Sequence, residues 1–161
     1  MIVPATDMLT IYVGESKDVV NRIRSDHCSG NVEGSALRKY IAIEKGYTLN
    51  KTKRQRGCTR IRLNLPDLGI GEQAISDYLR SGIWKLVFCS TKEEARDFQF
   101  YVIEKLRPLL NKNLRNWNGQ QHARYAKLLT ELTNSIGYRY SELPGQTKSP
   151  GVYVLYHNKM P

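Results

Sequence analysis

Cysteine is scarce: Cys28, Cys58 and Cys89 are the only three, and no two of them form a CxxC pair. Any disulfide scheme leaves one unpaired, so free thiols are the simplest reading. A structural zinc, which needs about four clustered ligands, is disfavoured. No stretch approaches the roughly 18–20 apolar residues that cross a bilayer, and the opening MIVPATDMLT lacks the basic-then-apolar pattern of an export signal. The expectation is therefore a cytoplasmic chain with no membrane partner. No internal repeat or low-complexity tract points to a solenoid. Acidic residues are also few, 15 against 25 Lys and Arg, which leaves a formal charge of +10. Such a field attracts polyanions, with nucleic acid first among them; the bland alternative is a basic protein that merely stays soluble.

What is present suits one folded domain. In 161 residues, 40% are hydrophobic and 25% charged, enough apolar surface to offset the entropy of ordering the chain. The expectation is a single domain over residues 1–161, with a basic insertion at about 45–62 and a connecting helix at about 122–134. β-Branched and aromatic residues at 8–14 and 84–89 predict strands, and the apolar run 151–156 predicts an edge-worthy third. After Gly14, Ser16 is placed to cap a helix carrying Val19, Val20 and Ile23, which Gly30 breaks. Ser35 precedes a second helix closed by Gly46, and a third is expected at 72–80, after a break at Gly69 and Gly71. Thr91 and Glu94 form a capping box before the stripe Ala95, Phe98, Val102, Ile103 and Leu106, which Pro108 closes. Between Lys45 and Arg62 there is no acid at all, while Lys51, Lys53, Arg54, Arg56, Arg60 and Arg62 accumulate. That bias favours a phosphate-contacting arm over an incidental charge run.

Two tyrosine tripeptides stand at opposite ends: Gly151-Val152-Tyr153 and Tyr12-Val13-Gly14. Read from Pro150 to Pro161 and then on from Met1, the text runs PGVYVLYHNKMP, MIVPATDMLT, IYVGESKDVVNRIRSDH. It resembles the opening of a GIY-YIG nuclease: a first strand, a hairpin turn, a second strand ending in glycine, then an arginine-bearing helix. The spacing of Tyr12 to Arg22 is similar to the family's, and EEARDFQFYVIEKLRPLLN, ending at Asn111, resembles its metal-bearing helix and closing asparagine. The order implies a circular permutation, with residues 111–150 joining the old ends; a break at a hairpin tip severs few contacts. A strand swapped between two protomers is the alternative.

The resemblance implies an α/β fold: a small mixed, mainly antiparallel sheet of about three strands flanked by helices. It implies that Tyr153 and Tyr12 project side by side, one orienting or deprotonating the attacking water, although tyrosines with their hydroxyls at a core rim read the same way alone. Arg22 would place its forked guanidinium on the scissile phosphate; otherwise it pairs with Asp26 along a helix face. Gly151, Gly14 and Asn111 complete the motif. The chain departs from the family twice. The usual histidine lies four residues after the arginine, where Asp26 stands, and His27, the candidate proton donor or acceptor, comes one later. Twelve positions before Asn111, where a glutamate should carry magnesium or manganese, stands Gln99. Gln99 is either a replacement that traps a DNA complex, the mark of a relative that binds without cutting, or a sign of a shifted register. The implied function is a magnesium-dependent DNA endonuclease of restriction or repair type, impaired by Gln99, acting on double-stranded DNA and suited to a homodimer. The alternative is a non-cleaving nucleic-acid-binding module on the same fold.

Overall fold

The segment LTIYVGES places β-branched and aromatic residues along an extended stretch and forms the first strand. In the computed structural model, which describes residues 7–111, 113–145 and 148–161, the elements in chain order are β1 (Leu9–Ser16), α1 (Val19–Asn21), α2 (Ala36–Glu44), β2 (Leu49–Lys53), β3 (Thr59–Leu63), α3 (Leu68–Ser81), β4 (Ile83–Phe88), α4 (Lys92–Leu106), α5 (His122–Asn134) and β5 (Gly151–His157). They fall into two compact units, Met1–Arg22 with Gly82–Met160, and Ile23–Ser81 with Pro161. No helix among the described residues is long and apolar enough to cross a membrane.

The first unit is an α/β layer around a three-stranded antiparallel sheet of order β1-β5-β4. Both ladders are antiparallel, so the sheet has no parallel pair. The run at 151–156 was expected to suit an edge; it lies in the centre, and its continuous burial has that cause, because both its backbone edges are paired and both its faces covered. β1 does not turn at Gly14. Glu15 and Ser16 continue the ladder opposite Val152 and Gly151, and the following helix is capped by Asp18, which accepts from the Asn21 N–H at 3.1 Å, rather than by Ser16. Alternation divides the sheet. Val13, Val152 and Val154 pack with Ala95, Phe98 and Val102 of α4 and with Tyr125, Leu128 and Leu132 of α5. Full burial of each such side chain contributes about 1.5–3 kcal/mol, which makes this cluster the anchor of the unit.

Helix α4 starts at Thr91, whose Oγ1 accepts from the Glu94 N–H at 3.0 Å. The return half of the expected capping box is displaced by one residue: the Glu94 carboxylate accepts from the Ser90 N–H at 2.7 Å and also pairs with Arg124. Arg107 ends the helix in the left-handed conformation, φ 47°, immediately before Pro108.

The second unit pairs the helices α2 and α3 with a β2–β3 hairpin. Ser35 caps α2 and Gly46, at φ +80°, leaves it. The expected break at Gly69 and Gly71 is instead the first turn of α3, where Asp67 accepts from the Gly69 N–H at 2.8 Å. Gly71 serves close packing: a Cβ there would meet a methyl of Leu63 at 2.6 Å. Arg38 is wholly buried, donating to the carbonyls of His27 (2.6 Å) and Glu72 (2.8 Å), to Ser76 Oγ (3.0 Å) and to the Glu72 carboxylate (2.6 Å). These bonds from its two terminal nitrogens tie α2 to α3, and removing its carboxylate partner would leave the charge uncompensated.

Candidate active site

Strand pairing brings the two ends of the chain together. Gly14 stands opposite Tyr153 and Tyr12 opposite Leu155, so Tyr12, Gly14 and Tyr153 share the sheet face turned away from α4. The rings of Tyr12 and Tyr153 lie 6.4 Å apart between centroids, and Trp84 backs Tyr153 at 6.0 Å. Tyr153 is buried to 1% exposure, while Tyr12 is half-buried. Burial, and next the neighbouring Tyr12, hold the Tyr153 hydroxyl well above the ordinary tyrosine range; Arg22, whose charge acts on that hydroxyl and which hydrogen-bonds to it, pulls the other way. Tyr153 therefore keeps its proton at neutral pH.

The glycines are required by contact. A Cβ at Gly14 would fall 2.3 Å from the Tyr153 hydroxyl oxygen, and one at Gly151 would fall 2.4 Å from the Val87 carbonyl oxygen on β4. Asn111 holds β1 from its open edge: its Oδ1 accepts from the Val13 N–H at 2.7 Å and its Nδ2 donates to the Val13 carbonyl at 2.9 Å. The Leu109 and Leu110 N–H groups donate to Thr10 and Ile11 at 3.0 and 2.9 Å, so the segment after α4 runs beside β1 as a partial fourth strand would.

Arg22 opens a π-helical turn, Arg22–His27, in which the Cys28 N–H reaches back five residues to Ile23 O at 2.9 Å. Such wide turns hold one residue more than an α-turn. The turn absorbs the offset between Asp26 and His27, yet His27 belongs to the second unit. Its ring is fully buried, with Nδ1 and Ser35 Oγ 2.7 Å apart. That geometry ties the His27 ring to Ser35 in the interior of the second unit.

Gln99 lies half-buried on α4, between the buried Phe98 and Val102 turns, and presents a neutral amide. Among the described residues no group of three or more His, Cys, Asp or Glu gathers as a metal cage. Glu15, to which the sequence pattern assigns no role, follows Gly14 on β1; its Oε2 is shielded from solvent and has no hydrogen-bond partner.

The basic run forms the β2–β3 hairpin of the second unit rather than an irregular arm. Lys51, Lys53, Arg54, Arg56 and Arg60 are all exposed. Arg54 and Arg62 are partly neutralised by Glu33, at 2.9 and 2.7 Å, an acid from outside the run. At the hairpin tip Lys53, Arg54, Arg56 and Arg60 line a shallow depression of about 490 Å³. The free thiols are Cys28, Cys58 and Cys89; burial pushes Cys28 and Cys89 up to about 12.

No curated protein and no solved structure matches this chain. A protein-family comparison does: residues 2–135 match the family described as the GIY-YIG catalytic domain, a span that stops short of β5. The match covers most of the chain, the second unit through Ser81 and part of the first, and the chain belongs to the GIY-YIG nuclease family.

Proposed function

We propose that this nuclease domain hydrolyses phosphodiester bonds of double-stranded DNA with a divalent cation, magnesium or manganese, in the manner of a restriction endonuclease. The observation that carries this reading is the cluster of Tyr12, Tyr153 and Arg22 on one sheet face, with Asn111 bracing the strand beneath it. In the proposed roles, Arg22 binds the scissile phosphate through its fork of donors. Tyr153, fixed and protonated, donates a hydrogen bond to the attacking water or to a phosphate oxygen, and Tyr12, the more exposed ring, orients the water. A bound cation would absorb charge on the phosphate as it builds. The exposed hairpin cations Lys51, Lys53, Arg56 and Arg60 hold the DNA backbone.

Two further parts belong to the proposal. The chain is a circular permutant: the strand that the family places first is here β5, paired with β1 and outside the matched span. Cutting both strands of a duplex takes two such sites, which a symmetric pair of chains supplies. The amide of Gln99 impairs hydrolysis relative to a chain with glutamate there. The test is DNA nicking with magnesium by the chain and by Gln99→Glu. A gain of at least tenfold in Gln99→Glu is expected. Nicking by neither form would leave the second reading, a module that binds nucleic acid without cutting, which the exposed hairpin cations equally support.

A further inference from the structure

In the second unit every residue from 51 to 60 is exposed. A two-stranded ribbon that buries so little is marginal by itself, so its shape is held at its base and at its turn. At the base Leu63 is buried and fills the space beside Gly71. At the apex the Arg54 N–H donates to the Cys58 carbonyl at 2.7 Å, the Gly57 N–H donates to the Arg54 carbonyl at 2.9 Å, and Gly57 takes φ +82°. This is a tight hairpin loop closed by a left-handed glycine, and it fixes Gln55 and Arg56 as the outermost pair.

The ribbon presents cations on both faces. Lys51 and Lys53 share one, opposite Ile61 and Thr59, while Arg60 stands on the other, opposite Thr52. A flat anionic surface would engage one face only, whereas both walls of a DNA groove carry phosphates. The major groove of B-DNA is about 12 Å wide and about 8.5 Å deep, and it admits a two-stranded ribbon. At about 3.4 Å per residue, about two or three residues of each strand fit within that depth. Lys53 and Arg60 then come to the rim, beside the phosphates, and Gln55 comes to the floor. Gln55 is a neutral side chain at an apex of cations, and it makes no hydrogen bond among the described residues. An amide gains little from phosphate charge, but its donor and acceptor together match N7 and N6 of adenine.

We infer that the β2–β3 ribbon enters the major groove of duplex DNA tip first, with Gln55 reading an adenine edge between two rows of phosphate contacts. The inference deepens the function proposed above and rests on it for duplex DNA as the substrate; it adds base selection to the grip of the hairpin cations.

The experiment selects bound duplexes from a pool of random sequence, using the full chain in EDTA so that cutting plays no part. The chain, Gln55→Ala, Gln55→Glu and Lys51→Ala are compared, and circular dichroism checks that each is folded. The chain should enrich adenine at one position by about tenfold over the other bases. Gln55→Ala should lose that preference, and Gln55→Glu should move it to cytosine, whose N4 amine donates to a carboxylate. Lys51→Ala should keep the preference and bind every sequence more weakly, with a salt slope lower by about 0.9. An RNA duplex of the selected sequence should bind about tenfold more weakly, because side chains cannot read its narrow major groove. No enriched position, adenine retained in folded Gln55→Ala or Gln55→Glu, or RNA bound as tightly as DNA would overturn the assignment. The chain and Gln99→Glu are assayed in parallel for nicking with magnesium. Selection of adenine through Gln55 with nicking by neither form sinks the nuclease reading and leaves the ribbon assignment in place; nicking without selection does the reverse.

Discussion

The phenol of Tyr153 lies over the backbone of Gly14: a methyl group built there would stand 2.3 Å from its hydroxyl oxygen and 2.4 Å from the ring carbon that carries it. Two positions 139 residues apart in the chain are thus one steric unit. Gly14→Ala should push the ring aside, destabilise the fold by about 1–3 kcal/mol and lower nicking by about a hundredfold through misplacement of the phenol. Tyr153→Phe should not relieve the strain, since the ring carbon remains. Tyr153→Ala in the Gly14→Ala background should, so the two losses measured by urea unfolding fall short of their sum.

Asn111 matches both hydrogen-bonding groups of Val13, one as acceptor and one as donor. Asn111→Ala leaves both partners of that clamp unmade, at about 1–3 kcal/mol for each group that stays buried. Asn111→Asp retains the acceptor but sets a second acceptor against the Val13 carbonyl, so it should not rescue stability. Chemical denaturation of the three forms decides the point.

The Tyr153 hydroxyl is held well above its ordinary value by burial, in a protein that would release it to about 10 on unfolding. A group whose folded value is raised contributes fully below the unfolded value and loses that contribution as pH climbs past it. Stability should therefore be insensitive to Tyr153 through neutral pH and decline above about pH 10, with a shallower decline in Tyr153→Phe. Ultraviolet titration at the phenolate band should show one tyrosine fewer among those that resist ionisation in Tyr153→Phe. The pH profile of nicking below that range should carry no limb from this residue.

Arg54 and Arg62 share the Glu33 carboxylate, whereas Lys53, Arg56 and Arg60 make no ion pair among the described residues. Replacing Lys53, Arg56 and Arg60 together by Ala should lower DNA affinity and flatten its dependence on salt, by about 0.9 in the log–log slope for each phosphate no longer neutralised. Glu33→Gln should strengthen binding by freeing two guanidinium groups. An unchanged salt slope in the triple variant would take the hairpin out of the interface.

Much of this was legible in the sequence because the relevant signals were local. The apolar stripe of α4, the Ser35 and Thr91 caps and the three strands of the sheet follow from side-chain period and capping chemistry, and the structure places each within two residues of its expected bounds. The pairing of the two tyrosine strands followed from their order in the family and from no local property. What escaped was set by distant partners. Gly69 and Gly71 read as a break, yet α3 tolerates them because Asp67 caps the turn and Leu63 fills the space against Gly71. β5 looked fit for an edge because an apolar run does not reveal how many neighbours it has. The partner of His27 was of the same kind: Ser35, eight residues on, meets its ring at 2.7 Å inside the second unit.

The central position of β5 also governs how the sheet can form. β1 and β4 have no ladder between them, so neither edge has a partner until the strand after both of them arrives. Every pairing that closes the sheet spans a long stretch of chain, and loop closure of that length must be met before any pairing rewards it. The second unit, all of whose strand pairings lie within residues 23–81, is free to fold early. The tyrosine pair on the first unit is complete only once β5 has joined β1.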